Sequence, residues 1–130
     1  MPSKNSFDLT APAALPVFYR TYSRMVEGEG RENWEQVTDR TVAGIAELGK
    51  FTEKETALVR EMQESQQVLP SGRWLWTGGT DWLKERKNFS GSYNCTSTRV
   101  TDIRSLALMM DLAMMGSGTG AVIEERHISK

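Results

Sequence analysis

Apolar side chains recur every three or four positions between residues 32 and 49, which predicts an amphipathic helix. The face that we expect to be buried carries Trp34, Val37, Thr41, Ile45 and Leu48. Gly49 stands where a residue with a left-handed backbone often follows the last helical turn. It is therefore the expected C-terminal cap of this helix.

A second amphipathic helix is predicted directly afterwards. Thr52 and Glu55 have the spacing of a capping box, in which two side chains satisfy backbone N–H groups at the start of a helix. Leu58 and Met62 form its apolar stripe, and Pro70 is expected to stop it. A shorter aromatic stretch, residues 17–25, is also predicted to be helical.

These helices predict a helical N-terminal module over residues 17–69. Three of the four prolines lie in residues 1–16, which predicts a flexible arm before the module. Apolar stripes of this kind usually mark a packing unit without chemistry of its own. The residues with chemistry are therefore expected from residue 70 onwards.

The pattern changes at Pro70, where glycine, serine, threonine and tryptophan replace the periodic apolar residues. Thr101 is the expected N-cap of the helix in this half, with Asp102 in its first turn. The order of predicted elements is an irregular packed loop (70–82), a short strand (92–100), a helix (101–115), a glycine-rich turn (116–120) and a β-like segment (121–123). Strand, helix and strand in this order predict an α/β crossover unit.

The predicted helix at 101–115 is apolar around most of its circumference, so we expect burial on several sides. Its apolar residues are Leu106, Leu108, Met109, Met110, Leu112, Met114 and Met115. One crossover unit would leave much of this surface bare. We therefore expect residues 70–130 to be part of a larger fold that covers this helix.

Composition and charge narrow the function classes. The 130 residues carry 16 Lys and Arg against 17 Asp and Glu, a formal net charge of −1. This balance lacks the one-sided basic field needed to coat nucleic acid or a membrane surface. The most apolar stretch, residues 105–115, is too short to span a bilayer and contains Asp111. One cysteine and no export signal predict a cytoplasmic location.

Cys95, the single cysteine, is the first candidate for chemistry. One thiol cannot close a disulfide within the chain or build a metal site alone. It is either a small buried hydrophobe or a redox or nucleophilic thiol in a polar pocket. Its neighbours are the polar residues Tyr93, Asn94, Thr96, Ser97 and Thr98, and the sequence leaves both interpretations open.

The glycine-rich turn, residues 116–121, is not a dinucleotide-binding fingerprint. Its spacing is Gly-x-Gly-x-Gly, and it follows a predicted helix instead of a strand. Two interpretations stay open: a turn whose backbone amides approach an anion, or a helix cap followed by a tight turn.

Residues 70–74 and His127 are weaker candidates. The hydroxyl of Ser71 and the guanidinium of Arg73 suit a phosphate or nucleotide, although Arg73 could equally brace a loop through a carboxylate. His127 has no second ligand at metal-binding spacing, so we interpret it as a surface residue and predict no metal site.

Four motifs in this order resemble the N-terminal part of a ribonucleotide reductase large chain. They are LPSGRWLWTGGTD (69–81), YNC (93–95), the methionine-rich helix and GSGTGAVIE (116–124). The chain is most similar to the monomeric class II type, which depends on adenosylcobalamin and acts on ribonucleoside triphosphates. The resemblance covers nearly all residues from 18 to 130, and it implies that 70–130 begins a ten-stranded α/β barrel.

The resemblance also implies roles for individual residues. Cys95 matches one of two cysteines that reduce the substrate and end as a disulfide, so its partner is expected outside this chain. Asn94 and Cys95 match positions that face the ribonucleotide substrate, Ser117 and Gly118 match a turn that borders it, and Ser71 matches a nucleotide contact. Residues 123–130 are expected near the nucleotide allosteric effector.

Several parts of the family's machinery have no match here. These are the radical cysteine, the second reducing cysteine, the catalytic glutamate, the C-terminal cysteine pair served by a thioredoxin-like reductant, and the cobalamin-binding surface. We therefore expect an N-terminal fragment that is inactive alone. The alternatives are a non-enzymatic nucleotide-binding module, a helical interaction protein, and the large chain of a class I ribonucleoside-diphosphate reductase.

Overall fold

The structure, a computed structural model, describes residues 12–128, apart from the side chains of Arg86, His127 and Ile128. Most of the predicted flexible arm lies outside these residues. In chain order the elements are α1 (Ala14–Val17), a π-helical turn (Phe18–Tyr22), β1 (Met25–Val26), β2 (Gly30–Arg31), α2 (Trp34–Gly49), α3 (Glu53–Glu64), α4 (Gly72–Thr77), α5 (Asp81–Arg86), a 3-10 turn (Phe89–Ser92), β3 (Cys95–Arg99), α6 (Ile103–Met114), β4 (Gly118–Val122) and α7 (Glu125–Ile128).

Helices and strands are both present, as the α/β prediction requires. The chain divides into two compact units, the first ending at Asp81 and the second beginning at Trp82. The predicted helix at 17–25 is helical as far as Tyr22 and wrong over its last three residues. Met25 and Val26 pair with β2 in a hairpin, which Gly28 in the turn and Gly30 at the start of β2 permit through positive φ angles of 80° and 94°.

The first unit is built around α2, which starts with a capping box formed by Asn33 and Gln36. Trp34 lies edge-on to Phe18, with 5.9 Å between ring centroids, and Val37 completes the contact beneath them. Trp34, Val37, Thr38, Thr41, Val42 and Gly44 are buried. The first half of the predicted face is therefore confirmed.

The end of α2 differs from the prediction in two ways. Ile45 and Leu48 are 37% and 52% exposed, because the described residues leave the last turns of the helix open. The left-handed residue is Lys50, at φ 52°, and not Gly49. A Cβ at Gly49 would overlap the ring of Phe51, so a larger residue there would require that ring to move.

α3 begins at the predicted capping box. The side chain of Thr52 accepts from the backbone N–H of Glu55, and the Glu55 carboxylate accepts from Thr52. The hydrogen bond from the Thr52 backbone holds the pKa of Glu55 below its usual value. Two other predictions for this helix are wrong: it ends at Glu64, well before Pro70, and Leu58 is 55% exposed.

Helix α3 buries a polar side chain where we predicted an apolar stripe. Gln63 is 4% exposed, and its Nε2 donates to Thr41 Oγ1 at 2.8 Å. Thr38, also fully buried, lies within 3.5 Å of the same amide. Helices α2 and α3 therefore meet through a satisfied hydrogen-bond network as well as through apolar contact.

Residues 70–82 form helix α4 and the start of α5, so the predicted irregular loop is wrong. Ser71 caps α4 by accepting from the N–H of Trp74 at 3.3 Å. The indole of Trp74 in turn donates to Thr41 O at 3.2 Å. A helix of six residues is too short to be stable through local propensity, so contacts with α2 hold it.

A mostly buried arginine on α2, Arg40, joins α4 to Glu32, the residue that follows β2. Arg40 forms a bidentate ion pair with Glu32, at 2.7 and 2.9 Å, and also donates to the carbonyls of Gly78 and Leu75 at 2.6 and 3.1 Å. The side chains of Arg40 and Glu32 are only 14% and 7% exposed. Gly79, at φ 71°, permits this approach because its Cβ would overlap the Arg40 carbonyl.

The second unit contains the predicted strand–helix–strand crossover. β3 and β4 pair in parallel, with Cys95 opposite Gly118 and Arg99 opposite Val122. The N-cap of α6 is Asp102, which accepts from the N–H of Ser105 at 3.0 Å, and not Thr101 as predicted. Asp102 takes the extended backbone that a cap requires.

Helix α6 has no buried residue within the described part of the chain, so the predicted burial on several sides is not reached. Ile103, Met110 and Met114 are 77%, 65% and 81% exposed. A continuous apolar surface of this kind favours association.

We expect the isolated chain to self-associate at micromolar concentration through α6. Light scattering after size-exclusion chromatography should show oligomers, and Met114→Lys should return the chain towards monomer because it charges the exposed helix. Met25→Lys, at a residue 70% exposed in the first unit, is the matched control and should have little effect. A monomer with a sharp, concentration-independent melting transition would contradict this prediction.

Candidate functional site

Four of the five predicted site residues lie together at the amino ends of β3 and β4. Parallel strands start at the same edge of a sheet, so Asn94 and Cys95 stand beside Ser117 and Gly118. The N–H of Gly118 donates to Asn94 O at 3.0 Å. The crossover thus brings register partners that are 23 positions apart in the sequence, such as Cys95 and Gly118, into one site.

The Cys95 thiol is exposed, which does not fit a small buried hydrophobe. Alternate residues of β3 are exposed and half-buried, and Cys95, Ser97 and Arg99 are the exposed set. Helix α6 packs on the same two strands, so the half-buried set faces it. The thiol therefore lies on the sheet face turned away from α6, open to approach.

The glycine-rich turn is a helix cap and not an anion-binding turn. Gly116, at φ 95°, donates to Ala113 O at 3.0 Å, and Ser117 N–H donates to Leu112 O at 3.1 Å. This is the Schellman pattern that ends many helices. With the Gly118 amide bound to Asn94 O, these three consecutive amides already have acceptors within the chain.

Gly118 and Ser117 fix the chain next to the thiol. A Cβ at Gly118 would lie 2.8 Å from Asn94 O, so only glycine allows the strands to start this close together. Ser117 is 4% exposed, and its hydroxyl lies 3.5 Å from the carbonyl of Tyr93. The two residues therefore hold the Tyr93–Cys95 backbone in place.

Gly118→Ala is expected to loosen the start of the β3–β4 pair, at about 1–3 kcal/mol of stability. The added methyl group must push Asn94 O away and lengthen the hydrogen bond. Hydrogen exchange should show faster exchange across residues 118–122. Gly120→Ala is the matched control, because its Cβ would lie 3.5 Å from Thr96 O, an ordinary contact. Equal protection in both variants would contradict the steric argument.

Ser71, the fifth predicted residue, lies in the first unit. Its hydroxyl accepts from Trp74 N–H as the cap of α4, and a Cβ at the neighbouring Gly72 would lie 2.9 Å from the Tyr22 hydroxyl. These contacts explain Ser71 and Gly72 structurally. A nucleotide contact by Ser71 stays a prediction.

Sequence reasoning missed Asn88, which binds the backbone just before the glycine-rich turn. Its Oδ1 accepts from Gly91 N–H at 3.3 Å, and its Nδ2 donates to Met115 O at 3.4 Å. Gly91 packs against the same carbonyl, at 2.6 Å from its hypothetical Cβ. The Asn-Phe-Ser-Gly sequence was the available signal, because asparagine before a glycine-containing turn often bonds its own backbone.

Within residues 12–128, no three His, Cys, Asp or Glu side chains cluster in a way that could hold a metal ion. The side chain of His127 lies outside the described part of the structure. Across the same described range, none of the helices combines the length and apolarity needed to cross a membrane.

No protein-family model matches the chain. It is 30% identical over 124 residues to a protein of Mycobacterium phage D29 named as an adenosylcobalamin-dependent ribonucleoside-triphosphate reductase, which covers 91% of this chain and 17% of that protein. Over 122 residues it is 25% identical to a Dictyostelium discoideum protein with the same enzyme name, covering 80% of this chain and 16% of that one.

The fold also has a match among solved structures. A crystal structure of a B12-dependent, class II ribonucleotide reductase superposes with a TM-score of 0.64 at 20% sequence identity. The match covers 90% of this chain and 21% of that one. The chain therefore spans between a sixth and about a fifth of the length of the proteins it matches.

Proposed function

From its confirmed resemblance to one segment of the adenosylcobalamin-dependent ribonucleotide reductases, we propose that this chain is part of an enzyme that reduces ribonucleoside triphosphates to deoxyribonucleotides. The observation that carries the proposal is the exposed Cys95 thiol beside Asn94, at the amino ends of two parallel strands. An exposed thiol held on a rigid strand can meet both a substrate and a second thiol.

Cys95 would act as one of two reducing thiols. Replacing the 2′ hydroxyl of a ribonucleotide by hydrogen needs two electrons and releases water. Two thiols supply them by losing their hydrogens and forming one S–S bond, so the atoms and electrons balance. The second thiol comes from another part of the enzyme, and its Cα must come within about 4.4–6.8 Å of the Cys95 Cα.

We also assign roles in substrate binding to the four other site residues. Asn94 is exposed and directly precedes Cys95, so we assign its side chain to a hydrogen bond with a substrate hydroxyl. Gly118 leaves the sheet face beside Cys95 without a side chain, and Ser117 positions the backbone that carries both residues. Ser71 would contact the nucleotide through the loop before α4.

The surrounding architecture follows from the same likeness. We assign residues 17–69 to a helical module and residues 70–130 to the start of a ten-stranded α/β barrel. The exposed apolar surface of α6 supports this assignment, because a barrel would cover that helix with further elements.

Adenosylcobalamin would supply the radical chemistry of the complete enzyme, and we assign no contact with it to residues of this chain. A thioredoxin-like protein would reduce the disulfide again after each turnover. A nucleotide effector near residues 123–130 and a cytoplasmic location complete the proposal. The location is consistent with an enzyme that must keep its thiols reduced.

The proposal is tested by the redox state of Cys95 in the complete enzyme. One turnover without external reductant should leave Cys95 in a disulfide, detected by mass spectrometry of the alkylated protein. A sample without ribonucleotide should retain the free thiol. Product formation while Cys95 stays fully alkylatable would refute the assignment.

A further inference from the structure

Two arginines and a tryptophan without an assigned role lie together in the first unit. They are Arg24, just before β1, and Arg73 and Trp76 on α4. Trp76 is 46% exposed, although it is a large aromatic residue. The guanidinium carbons of Arg24 and Arg73 lie 6.0 and 5.7 Å from the centroid of its ring. Two cations therefore share one exposed indole.

Hydrogen bonds to the backbone hold the Arg24 side chain and helix α4 in position. The Nε of Arg24 donates to Trp76 O at 2.7 Å. This bond connects the residue that precedes β1 to α4. Arg73 and Trp76 are three residues apart and so lie on the same face of the helix. The opposite face of α4 is pinned to α2 by Trp74 and by the carbonyls bound to Arg40.

The positive charges of Arg24 and Arg73 are not neutralised by ion pairs among the described residues. Glu32, the buried acid on this side, is bound through both oxygens to Arg40. Partial burial, and then the charge of Arg40, lower the pKa of Arg24, although Glu32 opposes this. An anion placed here would therefore relieve a local excess of positive charge.

We propose that Arg24, Arg73 and Trp76 form a binding site for a phosphate ester that carries a flat aromatic group, as a nucleoside triphosphate does. Guanidinium forks fit phosphate oxygens, and both arginines have N–H groups to spare. At nearly 6 Å from its centroid they leave ring surface free for a base. The site shares no residue with the substrate-binding set and does not depend on the proposed reduction.

The test measures tryptophan emission of the full chain, below the concentration at which it associates, during titration with ATP, inorganic triphosphate or adenosine. ATP should bind more tightly than triphosphate by about threefold or more, because the base adds stacking. Arg73→Gln should weaken ATP binding at least about fivefold, and Arg73→Lys by less, because it keeps the charge but not the fork.

Arg104→Gln is the matched control, since it removes the same charge from an exposed arginine on α6. It should change ATP affinity by less than about twofold. Absence of ATP binding, equal losses in Arg73→Gln and Arg104→Gln, or equal affinity for ATP and inorganic triphosphate would each overturn the proposal. Circular dichroism of each variant separates lost binding from lost folding.

Discussion

Serine in place of Cys95 is expected to abolish deoxynucleotide formation by the complete enzyme, by at least about a thousandfold, while nucleotide affinity stays nearly unchanged. A hydroxyl is close to a thiol in size, so the site keeps its shape. It cannot give up electrons by forming an S–S bond, so the reduction step has no donor. Product chromatography measures turnover, and equilibrium binding of the ribonucleotide measures affinity.

Ser97→Ala is the control for this experiment. Ser97 lies two residues further along β3, on the same exposed face, and has no assigned role in the reaction. Its variant should retain most of the activity. Normal turnover by Cys95→Ser would show that the thiol is dispensable, and equal losses in both variants would point to damage of the strand instead of lost redox chemistry.

The largest effect on stability is expected from Arg40→Met, which should lower the free energy of unfolding of the first unit by about 3–5 kcal/mol. Methionine fills a similar length but leaves the buried Glu32 carboxylate without its partner. It also removes the hydrogen-bond donor of the Leu75 and Gly78 carbonyls, which bind the guanidinium of Arg40 in the unsubstituted chain. Urea unfolding can be followed by tryptophan fluorescence, because three of the four tryptophans belong to this unit.

Arg60→Met provides the comparison, because Arg60 also binds carboxylates but at the surface. It contacts Glu35, Asp39 and Glu64, and its side chain is 37% exposed. Solvent screens such pairs, so the expected loss is below about 1 kcal/mol. Similar losses in the two variants would mean that burial of the Arg40–Glu32 pair is not what matters.

The parts of the fold that follow from local hydrogen bonds are predictable from the sequence. The capping box at Thr52 and Glu55 fixes the start of α3, because its spacing alone defines the bonds. The end of that helix and the existence of α4 are not predictable in this way. Both depend on contacts between distant segments, such as the bond between the Trp74 indole and Thr41.

The candidate site divides in the same manner. The strand–helix–strand order predicts that Cys95 and the glycine-rich turn approach each other, because parallel strands begin at one edge. The sequence did not predict which acceptors the N–H groups of the glycine-rich turn bind. A glycine at position 116 suits a helix cap and an anion-binding turn equally well. The exposure of the Trp76 ring was missed because apolar residues do not recur at a regular spacing in residues 70–82. The sequence therefore does not distinguish a buried face from an exposed one there.

The two-stranded sheet of β3 and β4 has two open edges, and a further strand could pair at either edge. Within the described residues β3 and β4 pair only with each other, so each presents one row of backbone donors and acceptors to new partners. Adding a strand covers one such row and creates another, so extension by itself never ends the growth. Only closure into a ring removes both rows at once. A chain that lacks the closing strands would satisfy these rows with any extended segment of suitable length, including one from another copy of itself.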